Sequence, residues 1–129
     1  MSKTRKMKVL VIDNEVDFAS TLAARLQLRK IEAKSVFSGT EALEVISTFM
    51  PDVLILDLQM PDMTGLEVLA RVKAIDLTIE VILLTSHGSF DAGITGMELG
   101  AFDYLVKPVD LTQLMKKITE AHNTRKSRK

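Results

Sequence analysis

The sequence predicts an α/β protein with a doubly wound, five-stranded parallel sheet in the order 2-1-3-4-5 and five helices. Three observations lead to this prediction. Short runs of aliphatic and β-branched residues recur along the chain, each too short for a helix. Segments with apolar residues at helical spacing separate these runs. Alternating strands and helices form parallel sheets covered on both faces, and right-handed crossovers favour the doubly wound order.

Composition limits the class of protein. A length of 129 residues, 47% of them hydrophobic and 26% charged, is typical of one globular domain. No run approaches about 18 consecutive apolar residues and the N-terminus does not resemble a signal peptide, so we expect a cytoplasmic protein with no membrane contact. The chain has no cysteine, which excludes disulfides and thiolate chemistry.

Charge is balanced overall but uneven along the chain. Seventeen basic and seventeen acidic residues cancel, while basic residues concentrate at the two ends. We expect residues 1–122 to form the folded domain and residues 123–129 to be a basic tail or the start of a linker. We expect no direct nucleic-acid contact by this domain.

The N-terminal half contains three predicted strands and three predicted helices. Strands are expected over residues 8–12, 31–37 and 53–57, and the last of these is apolar throughout until it ends on Asp57. Helices are expected over 16–26, 38–49 and 66–75. Ser38 and Glu41 have the spacing of a capping box at the start of the second helix.

The C-terminal half adds two strands and two helices. Strands are expected over residues 79–84 and 102–106, and helices over 89–99 and 111–121. Gly93 and Gly96 lie inside the fourth helix, where each costs up to about 1 kcal/mol relative to alanine. That helix must therefore be stabilised by packing.

Polar residues follow four of the five predicted strands. The carboxyl ends of parallel strands meet at the edge of the sheet where ligands bind. Clustered carboxylates without cysteine or histidine nearby favour a hard dication such as Mg²⁺. A lysine and a hydroxyl beside them suit an incoming phosphoryl group, with Asp57 as the nucleophile. The residues at these strand ends are Asp13, Asn14, Glu15, Asp57, Thr85 and Lys107.

These motifs resemble those of one known family. Leu-Asp-Leu-Gln-Met-Pro around Asp57 resembles the phosphoacceptor strand of the receiver domain of bacterial two-component response regulators. Leu-Leu-Thr-Ser-His, which contains Thr85, resembles the strand carrying that family's hydroxyl switch residue. The segment Gly-Ala-Phe-Asp-Tyr-Leu-Val-Lys-Pro resembles the one that holds the aromatic switch residue, here Tyr104, and the phosphate-binding lysine, here Lys107. The resemblance extends from about residue 7 to about residue 121.

The resemblance implies a function and its partners. A histidine kinase would donate a phosphoryl group to Asp57 with Mg²⁺ bound, Thr85 would move toward the phosphoryl oxygen, and Tyr104 would turn inward. The face formed by the fourth helix, fifth strand and fifth helix would then repack and engage an effector domain, a partner protein or a second copy of the chain in a phosphorylation-dependent homodimer. The chain would catalyse only its own phosphorylation and dephosphorylation. A cis peptide bond between Lys107 and Pro108 is also implied.

One position departs from the family. Receiver domains usually have two adjacent acids after the first strand, whereas this chain has Asp13 followed by Asn14. The expected metal ligands are then Asp13, Asn14, Asp57 and the backbone carbonyl of Gln59, with one negative charge missing and weaker Mg²⁺ binding. We expect phosphorylation to be retained. The alternative is a pseudo-receiver that binds partners without being phosphorylated.

Three other functions are less consistent with the sequence. A flavodoxin-like flavin binder would share the strand order, but here acids follow the first strand where a phosphate loop is required. An aspartyl-phosphate phosphatase would need a second carboxylate at position 59, which is Gln59. A nucleotide enzyme of the P-loop class is excluded because the chain has no Gly-x-x-x-x-Gly-Lys-Ser/Thr motif.

Overall fold

The structure is a computed structural model that describes residues 6–86 and 90–128. Strands and helices alternate strictly along this part of the chain, as the sequence predicts. Their bounds are β1 Lys8–Ile12, α1 Val16–Gln27, β2 Glu32–Val36, α2 Gly39–Phe49, β3 Val53–Asp57, α3 Gly65–Ile75, β4 Glu80–Thr85, α4 Phe90–Glu98, β5 Asp103–Val106 and α5 Leu111–Arg128.

All five strands form one parallel sheet in the order β2-β1-β3-β4-β5, which confirms the predicted topology. Chain order changes direction between β1 and β3, and a doubly wound sheet opens a crevice at such a point, beyond the carboxyl ends of its strands. The sequence places Asp13 and Asp57 at those two strand ends. The topology alone therefore brings the two carboxylates to neighbouring positions.

The core has two layers, one on each face of the sheet. Alternate residues of a strand point to opposite faces, so Val9 and Val11 pack with α1 and α5 while Leu10 and Ile12 pack with α2 and α3. Every residue of β3 and β4 is buried. This explains why the central strands are continuous apolar runs instead of alternating ones.

Ser38 is the N-cap of α2, as the predicted capping box requires, but Glu41 bonds back to the residue before the cap. The Ser38 hydroxyl accepts a hydrogen bond from the Glu41 amide (3.1 Å), and the Glu41 carboxylate accepts one from the Phe37 amide (2.9 Å). Asp62, in the loop after β3, accepts hydrogen bonds from the Gly39 and Thr40 amides and from the Thr40 hydroxyl. The hydrogen bonds from Thr40 lower the pKa of Asp62. This loop is thereby fixed to the start of α2.

The glycines of α4 are explained by close packing. A Cβ at Gly93 would lie 3.0 Å from the ring of Tyr104, and a Cβ at Gly96 would overlap the side chain of Leu83. The two glycines lower the helix propensity of α4, but they let the helix pack closely against β4 and β5. This agrees with the expectation that packing stabilises α4.

The end of α5 differs from the sequence-based expectation of a basic tail. The helix continues to Arg128, and Arg125 is buried instead of solvated. Its guanidinium donates to Asp52 Oδ1 (2.9 Å), a carboxylate that is itself buried and that also accepts from the Lys8 amide. Periodicity did not reveal this contact because a charged residue adds nothing to an apolar stripe. The division of the chain at residue 122 stays a prediction.

No helix in the described ranges is both long enough and apolar enough to span a membrane.

Candidate functional site

The polar residues predicted at the strand ends do lie at one edge of the sheet. Asp13 follows β1, Asp57 ends β3, Thr85 ends β4 and Lys107 follows β5. An open cleft of about 660 Å³ lies over this edge. Its polar lining residues include Asn14, Glu15, Asp57, Gln59, Thr64, Ser86 and Lys107.

Lys107 is the centre of the cluster. Its ammonium lies 2.8 Å from Asp13 Oδ2, 2.9 Å from Glu15 Oε1 and 3.9 Å from Asp57 Oδ1. Partial burial disfavours the charged lysine, but the hydrogen bonds to Asp13 and Glu15 and the charge of Asp57 outweigh it and raise the pKa of Lys107. Lys107 is therefore a fixed positive charge next to Asp57.

The Asp57 carboxylate is held in an environment that disfavours its charge. The side chain is only 8% exposed. Burial, followed by the negative charge of Asp13, raises the pKa of Asp57, and this is only partly opposed by Lys107 and by the Gln59 amide, which donates to Oδ1 (3.3 Å). A cation or an electrophile that removes this excess negative charge should bind favourably.

The raised pKa predicts a pH dependence of stability. Because the folded pKa of Asp57 exceeds its usual 3.8, the folded state binds more protons between the two values, and stability falls as pH rises through that window. In the presence of a chelator, Asp57→Asn should raise the melting temperature at pH 7, and this gain should shrink toward pH 4. Melting curves of both proteins over that pH range test this. A difference in melting temperature between the two proteins that is the same at every pH would contradict this prediction.

Asn14 contacts two of the expected metal-binding oxygens. With its amide oriented so that nitrogen faces the acceptors, it donates to the Gln59 carbonyl oxygen (3.2 Å) and to Asp57 Oδ2 (3.3 Å). This orientation is assigned from the hydrogen-bond network. Rotating the amide would turn its oxygen toward the same two atoms, and three oxygens facing one another require a cation between them.

The donor set fits a hard dication. Asp13, Asp57, the Gln59 carbonyl and the rotated Asn14 amide provide only oxygen ligands, as Mg²⁺ prefers. Within residues 6–86 and 90–128, no three or more His, Cys, Asp or Glu side chains form a group that could hold a metal ion. In such a site the neutral oxygens of residues 14 and 59 would add to the carboxylates of Asp13 and Asp57.

The two expected switch residues lie on neighbouring strands next to the site. Thr85 is buried, and its hydroxyl lies 3.5 Å from the Leu105 carbonyl oxygen, a long hydrogen bond that holds it weakly. Tyr104 pairs with Leu83 in the sheet and is partly buried against α4.

The Lys107–Pro108 peptide bond is cis, which confirms the expectation of a cis bond at this position.

Two side chains contribute more than the sequence indicated. Glu15 is one of the strand-end residues of the sequence analysis but not one of the expected metal ligands; β1 ends at Ile12, and Glu15 is the N-cap of α1. Its carboxylate bonds to Lys107. Phe18, on α1, has its ring centroid 4.7 Å from the Lys107 ammonium and so adds a cation–π contact.

Residues 59 and 86 flank the cluster. The Ser86 hydroxyl donates to the Gln59 side-chain oxygen (3.2 Å), a pair that the sequence did not indicate because the residues belong to different loops. His87, the last residue of the Leu-Leu-Thr-Ser-His motif, lies outside the described residues.

Sequence comparison identifies relatives across most of the chain. A profile described as the response regulator receiver domain matches residues 9–119. The chain is 35% identical over 111 residues to the transcriptional regulatory protein PrrA of Mycobacterium tuberculosis, covering 86% of this chain and 48% of PrrA. It is 30% identical over 107 residues to the regulatory protein AtoC of Escherichia coli, covering 83% of this chain and 23% of AtoC. The chain thus spans about half or less of these relatives.

Solved structures resemble the fold closely. A response regulator receiver domain protein from Clostridium thermocellum superposes with a TM-score of 0.91 at 35% identity, covering 95% of this chain and 99% of that one. A CheY-like receiver domain protein from Methanospirillum hungatei has the same TM-score of 0.91 at 22% identity, which demonstrates similarity of fold.

Proposed function

Because this chain belongs to the response regulator receiver domain family, we propose that it accepts a phosphoryl group on Asp57 from a histidine kinase. The observation that supports this most strongly is the position of Lys107, whose ammonium is bonded to Asp13 and lies 3.9 Å from Asp57 at the carboxyl edge of the sheet. A fixed cation next to a buried carboxylate is what stabilises a phosphoryl group during transfer.

The transfer step follows from the groups present. An Asp57 carboxylate oxygen attacks the phosphorus of the kinase phosphohistidine, the new O–P bond forms, and the N–P bond breaks with its electron pair left on the imidazole nitrogen. Lys107 neutralises charge on the equatorial oxygens. Mg²⁺, held by Asp13, Asn14, Asp57 and the Gln59 carbonyl, would neutralise the remaining charge. The chain turns over no other substrate in this proposal.

The switch follows from the weakly held Thr85 hydroxyl. A phosphoryl oxygen on Asp57 is a stronger acceptor than the Leu105 carbonyl at 3.5 Å, so the hydroxyl moves toward it. Tyr104 then turns into the space that the Thr85 side chain leaves. This repacks the output face, defined as α4, β5 and α5, through a local change with two stable arrangements.

The output face has the character of a docking surface. Its exposed apolar residues include Ile94, Met97 and Val106, which are 39–48% exposed, and the exposed Leu99 directly follows α4. We propose that it engages an effector domain, a partner protein or a second copy of the chain once Asp57 is phosphorylated. The longer relatives are named as regulators. The cytoplasmic location of this chain and the absence of nucleic-acid contact by this domain stay predictions.

One observation favours the pseudo-receiver as the second candidate. The Asn14 amide bonds to Asp57 and Gln59 with its nitrogen, so the cluster is partly satisfied by the chain itself. If Mg²⁺ cannot break these two hydrogen bonds, the domain would bind partners through the output face in its unmodified form.

The effect of Asn14 on the metal is testable by restoring the acid. Asn14→Asp should bind Mg²⁺ on the order of tenfold more tightly, because ligand charge sets the affinity for a hard cation. Calorimetric titration with MgCl₂ measures this directly, and Asn123→Asp, on the exposed surface of α5, controls for the added charge. Equal affinity in the two variants would contradict the assignment of residue 14 as a ligand.

Phosphorylation is tested by intact mass. After incubation with acetyl phosphate and MgCl₂, the protein should gain one phosphoryl group, while a sample with chelator and the Asp57→Asn variant should gain none. If the folded protein gains nothing at any Mg²⁺ concentration, the pseudo-receiver becomes the better account.

A further inference from the structure

The ammonium of Lys107 is shared between two acids of very different exposure. Asp13 is fully buried, whereas the Glu15 side chain is 65% exposed, yet the two bonds to Lys107 are almost equal in length at 2.8 and 2.9 Å. Glu15 also donates its backbone amide to Asp13 Oδ1 (2.9 Å). Glu15 is therefore bound to the cluster through both its backbone and its side chain.

This arrangement changes the charge of the cluster. Asp13, Glu15 and Asp57 carry three negative charges and Lys107 carries one positive charge, which leaves a net charge of −2. Without Glu15 the net charge would be only −1, because Asn14 is neutral. Glu15 thus restores the charge that a dication needs, although it is not one of the expected ligands.

We propose that Glu15 is a positioning residue that supplies, through Lys107, the negative charge missing at Asn14. Because the Lys107 ammonium also bonds to Glu15, it neutralises less of the negative charge of Asp13. More of that charge is then available to a dication. This inference deepens the proposed function, since it concerns the same metal site. A surface ion pair with no influence on the site is the simpler alternative, and the experiment must separate the two.

The test is a Mg²⁺ titration without any phosphodonor. Glu15→Gln should weaken Mg²⁺ binding by about two- to fivefold at low ionic strength, the range expected for an exposed ion pair, and the difference should shrink at high salt. Asp17→Asn removes a nearby exposed acid of α1 and should have a smaller effect. Asn14→Asp combined with Glu15→Gln should recover the lost affinity.

A spectroscopic measurement reports on the ion pair itself. In metal-free protein, the NMR signal of the Lys107 ammonium should shift in Glu15→Gln and remain in place in Asp17→Asn. A purely surface role for Glu15 would leave the Mg²⁺ affinity unchanged even if this signal moved.

The outcomes are distinct. Unchanged affinity in Glu15→Gln, an equal loss in Asp17→Asn, or no Mg²⁺ binding by the unmodified chain would each overturn the proposal. A Glu15-dependent affinity in a protein that acetyl phosphate does not modify would support it and refute only the proposed phosphorylation.

Discussion

Replacing Lys107 with methionine should slow the gain of a phosphoryl group on Asp57 by about 100-fold, the usual loss when one preorganised charge-stabilising group is removed. Methionine keeps an apolar side chain of similar length beside Phe18 but cannot contact a phosphoryl oxygen. The rate is measured by intact mass during incubation with acetyl phosphate and saturating Mg²⁺.

Lys117→Met is the matched control. Lys117 also bonds to a carboxylate at 2.8 Å, that of Asp103, but it lies on α5 away from the cleft. Its loss should leave the rate within about twofold of the parent. Because Lys107→Met also leaves the buried Asp13 without its cation, circular dichroism must establish that the variant is folded. A folded Lys107→Met protein with the parental rate would refute the role assigned to this lysine.

Replacing Arg125 with alanine should lower the free energy of unfolding by about 3–5 kcal/mol, the usual cost of removing one partner of a buried ion pair. Asp52 is 1% exposed, and its Oδ1 is 2.9 Å from the Arg125 guanidinium, which also reaches Asp76 Oδ2 at 3.5 Å. Urea denaturation followed by circular dichroism measures the change.

Two further variants separate the contribution of the ion pair to stability from that of the helix. Lys126→Ala removes the exposed neighbouring cation and should change stability by less than about 0.5 kcal/mol. Asp52→Asn combined with Arg125→Met should be less destabilised than Arg125→Ala, because both charges of the buried pair are then removed together. A loss in Arg125→Ala no larger than that in Lys126→Ala would show that the ion pair does not stabilise the end of α5.

The fold was predictable because its determinants are local. β3 is a continuous apolar run and α1 has helical periodicity, and the alternation of such elements together with right-handed crossovers leaves few topologies. The convergence of Asp13, Asp57, Thr85 and Lys107 follows from that topology, since each residue lies at the carboxyl end of a parallel strand. The sequence therefore predicted which residues meet at this edge of the sheet.

The contacts between those residues were not predictable. The bond from Glu15 to Lys107 depends on the backbone leaving β1 after Ile12, so that Glu15 becomes the N-cap of α1. The Arg125–Asp52 pair joins residues 73 positions apart, and neither belongs to an apolar pattern. Polar contacts of this kind depend on side-chain geometry that periodicity does not describe.

The central claim is that Asp57 itself forms the acyl phosphate, and reductive mapping tests it most directly. Borohydride reduces an aspartyl phosphate to homoserine, which tandem mass spectrometry locates in the sequence. After treatment with acetyl phosphate and Mg²⁺, homoserine should be found at position 57 alone. Homoserine at position 13 or 62, or none in a protein whose mass shows a phosphoryl group, would contradict the assignment of Asp57.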